Sequence, residues 1–355
     1  MKSKFPPRLQ PARLAGEAGG RRIGLYALGA PGGLQAAVSD HGARLLQLVV
    51  PGRGGAWYDV VLGYDSLGQM LQGMPSLGAF IGRYANRIGQ SRFTLDGRAW
   101  QVPANDGPHC LHGGPAGSRH QVFEVQAHAP DRLELAWTFR SAHDGFPGDV
   151  ALRLTYALPA PATLAIEWAA QALDRASVVN FTAHPFFNLE GAQAPHARDH
   201  HLTINATHYL PVDAHKIPTG VIAPVEGTPL DLRAGTTLAQ ALQRLPAGQG
   251  FDHCYVMAQS GTLRPMARAR APGSGVVMHV WSDAPGLQFF SASGFDGSLP
   301  RHAGKAGRAY GPEAGLCLEP QGLPDAPNQP GFPSTVLRPG HPRRGRIEFR
   351  FSVED

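Results

Sequence analysis

Residues 132–168 read RLELAWTFRSAHDGFPGDVALRLTYALPAPATLAIEW, and their apolar spacing decides the fold class. Leu133, Leu135, Trp137 and Phe139 alternate with Glu134, Ala136, Thr138 and Arg140. The same period of two returns in Val150, Leu152, Leu154 and Tyr156, and again in Leu164, Ile166 and Trp168. Successive side chains of a strand point to opposite faces, so the pattern predicts antiparallel strands with one face buried. Upstream, Phe93 and Leu95 run into Asp96-Gly97 and the chain returns through Trp100 and Val102, a hairpin signal. Residues 23–50 and 56–64 carry further β-rich apolar runs, and residues 66–74 suit a short helix or turn. Downstream, Ile347, Phe349, Phe351 and Val353 alternate with polar residues in a closing strand. The one convincing helical spacing is Leu238, Leu242 and Leu245, ended by Pro246. No repeat, linker or composition shift marks a boundary. The expectation is one large all-β domain of packed antiparallel sheets over 21–355, after a disordered lead-in over 1–20.

Composition agrees with many strands and many turns. Of 355 residues, 44 are Gly and 32 are Pro, over a fifth of the chain against roughly an eighth in average usage. These residues are spread between short apolar runs instead of forming low-complexity blocks. Net charge is +5, but the densest basic cluster, Arg343, Arg344 and Arg346, is too short to specify nucleic acid. Three cysteines (Cys110, Cys254, Cys317) make no disulfide framework, which points to a reducing compartment and a cytoplasmic location. The N-terminal stretch MKSKFPPRLQPARLAGEAGG lacks the apolar segment of a signal peptide, and no apolar run approaches a membrane span.

Residues 315–340, GLCLEPQGLPDAPNQPGFPSTVLRPG, open with alternating apolar residues around Glu319 and continue as a proline-rich loop. Proline fixes its own φ and restricts its predecessor, so such a loop can be rigid without regular hydrogen bonding. Asn328, Gln329 and Arg338, interleaved with Phe332, Val336 and Leu337, suggest packing on the body, holding Glu319 in one place.

Other polar positions concentrate at loops and strand ends. Asn86 and Arg87 offer fork-like donors for a hydroxyl-rich or carboxylate ligand, or form a surface turn. His112 precedes Gly113-Gly114, which permits close backbone approach, though an exposed loop histidine reads the same way. His184 lies in NFTAHPFFNLEG, set against aromatic residues, with Asn180 and Asn188 available to orient it; a structural histidine is the alternative. Asp252 opens the apolar run of GFDHCYV, and Gln288 in PGLQFFSAS has Phe289 and Phe290 beside it that could stack on a sugar ring. Each has an ordinary turn or edge-strand alternative. The cysteine and histidine spacings match no usual zinc pattern, and the cysteines read as small buried hydrophobes, so no metal is expected. Phosphate-binding, dinucleotide and nucleophile-elbow motifs are missing from the sequence.

Eight segments occur together in order: GRYANRIGQSRFTLDG, LHGG, DGFPG, HPFFNL, YLPVDAHKIPTG, FDHCYV, GLQFF and CLEPQGLPDAPNQPGFPSTVLRPG. With them the chain closely resembles the aldose 1-epimerase (galactose mutarotase) family from about Ile23 to Val353. The resemblance implies a large antiparallel β-sandwich of twisted sheets with a concave sugar site. It implies cofactor-free interconversion of the α and β anomers of free aldohexoses, with a monosaccharide as the small-molecule partner and a monomer or homodimer as the assembly. It further implies that Glu319 is the base and His184 the acid, with Asn86, Arg87, His112, Asp252 and Gln288 binding the sugar. The chain departs at residues 115–120 and at Phe186, where relatives often carry other residues, which bears on the sugar preferred. The alternatives are a hexose-6-phosphate mutarotase, a glycoside hydrolase using Glu319 and Asp252, and a non-catalytic carbohydrate-binding module.

Overall fold

Antiparallel pairing organises the computed structural model, which describes residues 8–29, 32–257 and 261–354. Its largest sheet has nine strands among the described residues. They run in the order Glu124–Ala129, Arg132–Phe139, Val150–Ala157, Thr163–Ala172, Arg343–Val353, Val276–Ser282, Arg264–Arg270, His201–Ile204 and Thr236–Thr237. Every adjacent pair is antiparallel.

The register explains why the alternating residues form a sheet. Leu133 lies opposite Tyr156, Tyr156 opposite Ile166, and Ile166 opposite Ile347, a row of four buried side chains. One residue along, Glu134, Thr155, Glu167 and Arg346 form the matching polar row, and Arg346 pairs with Glu167 at 2.5 Å. A slip of one residue would exchange the rows. Each fully buried large apolar side chain contributes about 1.5–3 kcal/mol, so the register is strongly specified.

Two further sheets complete the body. One orders Leu25–Leu28, Gln35–Ser39, Arg44–Pro51 and Trp57–Asp59. The other orders Ala223–Pro224, His208–Tyr209, Asp252–Val256, Gly286–Phe290 and Cys317–Gln321. Leu48, Leu154, Phe289 and Phe349, drawn from all three sheets, belong to one apolar core. The hairpin forms as expected: Leu95 faces Arg98 around Asp96 and Gly97, whose φ values of 50° and 75° suit a tight two-residue turn.

The helical reading needs trimming. Leu238–Gln243 is a helix started by a capping box between Thr237 and Gln240, but it ends before Leu245. Leu67–Gln72 is helical, with the Ser66 hydroxyl accepting from Gln69 N.

The lead-in expected over 1–20 is corrected from residue 8 onward. Pro11–Leu14 is a short helix with Leu14 fully buried, and Gly16–Ala18 pairs with Arg21–Ile23. Arg8 Nε donates to Gln35 Oε1 at 2.9 Å. Isolated anchors such as Leu14 have no period to read, which is why composition suggested disorder. Residues 1–7 of that expectation lie outside the described residues. Among the described residues no helix is long and apolar enough to cross a membrane.

Candidate active site

The site grows from the five-stranded sheet. Cys254, Gln288 and Glu319 are register neighbours across three strands, and Asp252 lies two residues before Cys254 on the same face. Glu319 and Gln288 are buried. Asp252 is shared between two donors: Gln288 Nε2 reaches Oδ1 at 2.7 Å, and Lys216 Nζ donates to Oδ2. Burial alone would raise the Asp252 carboxyl, but Lys216 and Arg87, with the Lys216 and Gln288 hydrogen bonds, hold it below its ordinary value.

His184 enters from the segment after Thr182–Ala183, which pairs with Phe80–Ile81. Its backbone is fixed at both ends: His184 N donates to Ala79 O at 2.9 Å, and Gly78 N donates to His184 O at 3.0 Å. Phe186 stacks on the imidazole, with centroids 5.0 Å apart and planes 25° from parallel. Nε2 then stands 3.5 Å from Glu319 Oε1, while Nδ1 faces Cys317 Sγ at 3.4 Å. Asn180 and Asn188, expected to orient this ring, instead bond backbone: Asn180 joins Ala85 and Gly322, and Asn188 holds Ala314 O.

Burial sets the protonation of the pair. It pushes Glu319 well above the usual carboxylate range, with Asp252 adding to the effect. It pulls His184 down to about 4. The two shifts favour the neutral imidazole and work against ionisation of the carboxyl, so burial favours keeping the one proton of the pair on Glu319.

Beside His184 a second wall holds Asn86, Arg87 and His112. Asn86 has φ 60°, a left-handed conformation that asparagine tolerates well. Asn86 N donates to His112 Nδ1 at 3.1 Å and His112 N donates back to Asn86 O at 2.9 Å. Because Nδ1 accepts, the neutral His112 ring carries its proton on Nε2. The ring meets His184 edge to face at 5.5 Å. Arg87 is held by Asp106, Nε to Oδ2 at 2.8 Å, and Arg87 O accepts from Asp325 N at 2.9 Å.

That last bond shows what the proline-rich loop does. Asp325 also accepts from Gly89 N, Asn328 and Gln329, while Arg338 pairs with Asp96. The loop, which contains a short strand at Val336–Leu337, thus fastens the Arg87 wall to the strand bearing Glu319. Beneath that wall Arg83 is fully buried. Its guanidinium bonds both oxygens of Asp144 at 2.8 and 2.9 Å and also reaches Gly148 O at 2.6 Å. The segment DGFPG is therefore a support for the wall.

His184, Cys317 and Glu319 bring three potential metal-ligand atoms within 4.8 Å of one another. The two short approaches use opposite nitrogens of one ring, whereas a single ion needs one nitrogen facing both other donors. Burial, Glu319 and Asp252 also drive the Cys317 thiol well above its ordinary value, away from the thiolate a metal binds. The trio fits a line of polar contacts through one imidazole better than a metal site.

A cleft of about 780 Å³ opens beside this cluster, lined by Asp252, Lys216, Phe290, Phe295, Arg301 and His302 among others. Of the seven residues expected from sequence, Asp252 lines this cleft, and the others join it through the contacts Asp252–Gln288, Gln288–Glu319, Glu319–His184, His184–His112 and His112–Asn86, with Arg87 next in sequence. Of the two aromatics beside Gln288, Phe290 borders the cleft, whereas Phe289 is buried against Phe251.

A family model described as aldose 1-epimerase matches residues 24–350. The chain belongs to the aldose 1-epimerase family. It is similar to galactose mutarotase from Rattus norvegicus, 40% identical over 312 residues, spanning 88% of this chain and 89% of the rat protein. Aldose 1-epimerase from Escherichia coli K12 is 32% identical, covering 91% of this chain and 93% of its own. A solved aldose epimerase homologue from C. elegans superimposes with a TM-score of 0.87 at 30% identity, covering 94% of this chain and all of that one. Membership makes the chain an isomerase of galactose mutarotase-like β fold.

Within this aldose 1-epimerase fold, sequence reasoning missed Lys216, Asp106 and the contact of Cys317 with His184. Each is defined by a partner distant in sequence: Lys216 is 36 residues from Asp252, and Cys317 is 133 from His184. No local spacing announces such pairs.

Proposed function

We propose that the protein interconverts the α and β anomers of unphosphorylated aldohexoses by opening and reclosing the ring, with His184 and Glu319 exchanging protons with the substrate. The observation that carries this reading is the buried pair itself, an imidazole Nε2 3.5 Å from a carboxylate oxygen. The anomeric hydroxyl and the ring oxygen share one carbon, so adjacent acid and base groups suit them.

The proton count closes. In the reacting form Glu319 is a carboxylate and His184 an imidazolium, one proton on the pair. Glu319 takes the anomeric hydroxyl proton as His184 protonates the ring oxygen, and the bond from that oxygen to the anomeric carbon breaks. The pair is now carboxyl and neutral imidazole, still with one proton, and the sugar is an open aldehyde. Rotation about the bond to the aldehyde presents its other face. Reversal of both transfers closes the opposite anomer. The charge-neutral distribution that burial favours is the one present while the ring is open, so the buried setting assists opening. Asp252, Gln288, Asn86, Arg87 and His112 would hold the remaining hydroxyls and keep the open chain between the two groups.

Two observations bear on the rival readings. A glycoside hydrolase built on Glu319 and Asp252 leaves the placement of His184 without purpose. A phosphosugar enzyme needs cationic charge free for the phosphate, and in this cleft Lys216 is paired with Asp252 while Asp213 also lines the wall. Polarimetry of freshly dissolved α-D-glucose and α-D-galactose, with and without protein, tests the function. Faster decay of rotation supports it. A rate equal to the spontaneous one, or acceleration for glucose 6-phosphate alone, contradicts it.

A further inference from the structure

Resting on the mutarotase reading, we infer that Lys216 is an additional substrate-positioning residue, donating to the same sugar hydroxyl from which Asp252 accepts. Lys216 sits at the tip of a turn stitched by its own chain. Asp213 Oδ1 accepts from His215 N at 2.8 Å and Ile217 N at 2.9 Å, and Lys216 N donates to Asp213 O at 3.0 Å. Thr219 N closes the turn on Pro211 O, and Gln329 Nε2 ties Pro218 O to the proline-rich loop. Lys216 itself has φ 64°, so the turn projects this side chain from a left-handed position.

The turn delivers the ammonium to Asp252 Oδ2 while Gln288 holds Oδ1. Lys216 and Asp252 line the same cleft, and the lysine side chain remains 47% exposed there. An ammonium has three protons and Asp252 occupies one; a carboxylate has more acceptor sites than two donors use. The pair thus offers a donor beside an acceptor. A sugar hydroxyl, which both donates and accepts, fits that arrangement, whereas a lone carboxylate serves only half of it.

A second consequence separates this role from simple packing. The charge on Asp252 favours the protonated forms of both His184 and Glu319. Lys216 offsets that charge. Removing the ammonium leaves Asp252 less compensated, which moves both limbs of the pH–rate profile to higher pH. Arg44, Arg87, Arg119, His112 and Cys317 also bear on the pair or on Asp252 and are unaltered in the variant.

The test measures mutarotation of α-D-galactose across pH for the unaltered protein, Lys216→Met and Lys216→Arg, with thermal melts in parallel. Lys216→Met should raise KM about tenfold, as loss of a charge-assisted hydrogen bond does, with a smaller fall in kcat. Both limbs should shift alkaline while the melting temperature stays within about 2 °C. Lys216→Arg should restore the limbs and most of the affinity. An active unaltered protein whose Lys216→Met variant keeps its KM and limbs would overturn this role alone. If Lys216→Met melts early, the arginine variant decides: normal melting with unrestored limbs overturns the role too. An unaltered protein without mutarotation would overturn both this inference and the reading beneath it.

Discussion

His184 Nε2 and Glu319 Oε1 face each other at 3.5 Å inside the protein, with 6% and 2% of the two residues exposed. Burial pushes the two groups in opposite directions, the carboxyl up and the imidazole down. Their titration therefore belongs to the pair, with macroscopic limbs that neither residue owns.

Turnover should follow a bell against pH with an unusually low acid limb. As pH falls through about 4, His184 takes a second proton beside a protonated Glu319 and no base remains. As pH rises past the raised value of Glu319, the pair loses its only proton and no acid remains. Rates from polarimetry between pH 3.5 and about 10 check this. An acid limb near pH 6.5 would show that burial does not control the imidazole.

Replacing Glu319 by Gln should stabilise the fold at high pH. A carboxyl whose folded value is raised contributes stability that is present below its unfolded value and lost as pH rises through the folded one. Glutamine removes that loss. Thermal melts should show a gain for Glu319→Gln at pH 8 or above that shrinks toward pH 4.5. Equal differences at both pH values would count against the buried-carboxyl assignment.

Acid sensitivity of the unaltered protein has the opposite sign. Burial lowers His41 and His184 to about 4 and His200 to about 3. Unfolded histidine binds its proton near 6.5, so stability should fall as pH drops from about 6.5 toward 4. Each tenfold change in proton affinity between the folded and unfolded chain is worth about 1.4 kcal/mol, so the combined loss over the three rings is several kcal/mol, offset in part by the opposite contribution of Glu319 over the same window. Denaturant melts at pH 7, 5.5 and 4.5 read it directly.

The buried Arg83–Asp144 pair should govern the Asn86–Arg87 wall. Asp144→Ala strands the guanidinium and should destabilise the fold by about 3–5 kcal/mol. At a temperature where the variant remains folded, KM should also rise if, as proposed, Asn86 and Arg87 of that wall hold the sugar. A stable variant with normal KM would show that the wall is held elsewhere.

Much of this architecture was legible because strand physics is local. Leu133, Leu135, Trp137 and Phe139 announce a sheet face by spacing alone, and Asp96-Gly97 marks its hairpin without any partner. The proposed acid and base, His184 and Glu319, were visible only through the company of eight motifs, since a single buried histidine or strand-end glutamate is usually structural. Lys216 lies within YLPVDAHKIPTG, yet its contact with Asp252 could not be read from spacing, because it depends on a turn that carries the side chain to a strand distant in sequence. Leu14 was missed for a similar reason, an anchor without a period. Cys317 was rightly read as buried and small, but its contact with Nδ1 of His184 emerges only when its strand meets the segment after Thr182–Ala183.

The most direct test measures mutarotation of α-D-galactose by Glu319→Gln, by His184→Asn and by the double variant, each confirmed folded by its thermal melt. If the two groups act in one exchange, each single variant loses most of the turnover. The double variant should then be little worse than either, because residues acting as a unit are non-additive. A folded Glu319→Gln protein that mutarotates near the unaltered rate would contradict the account.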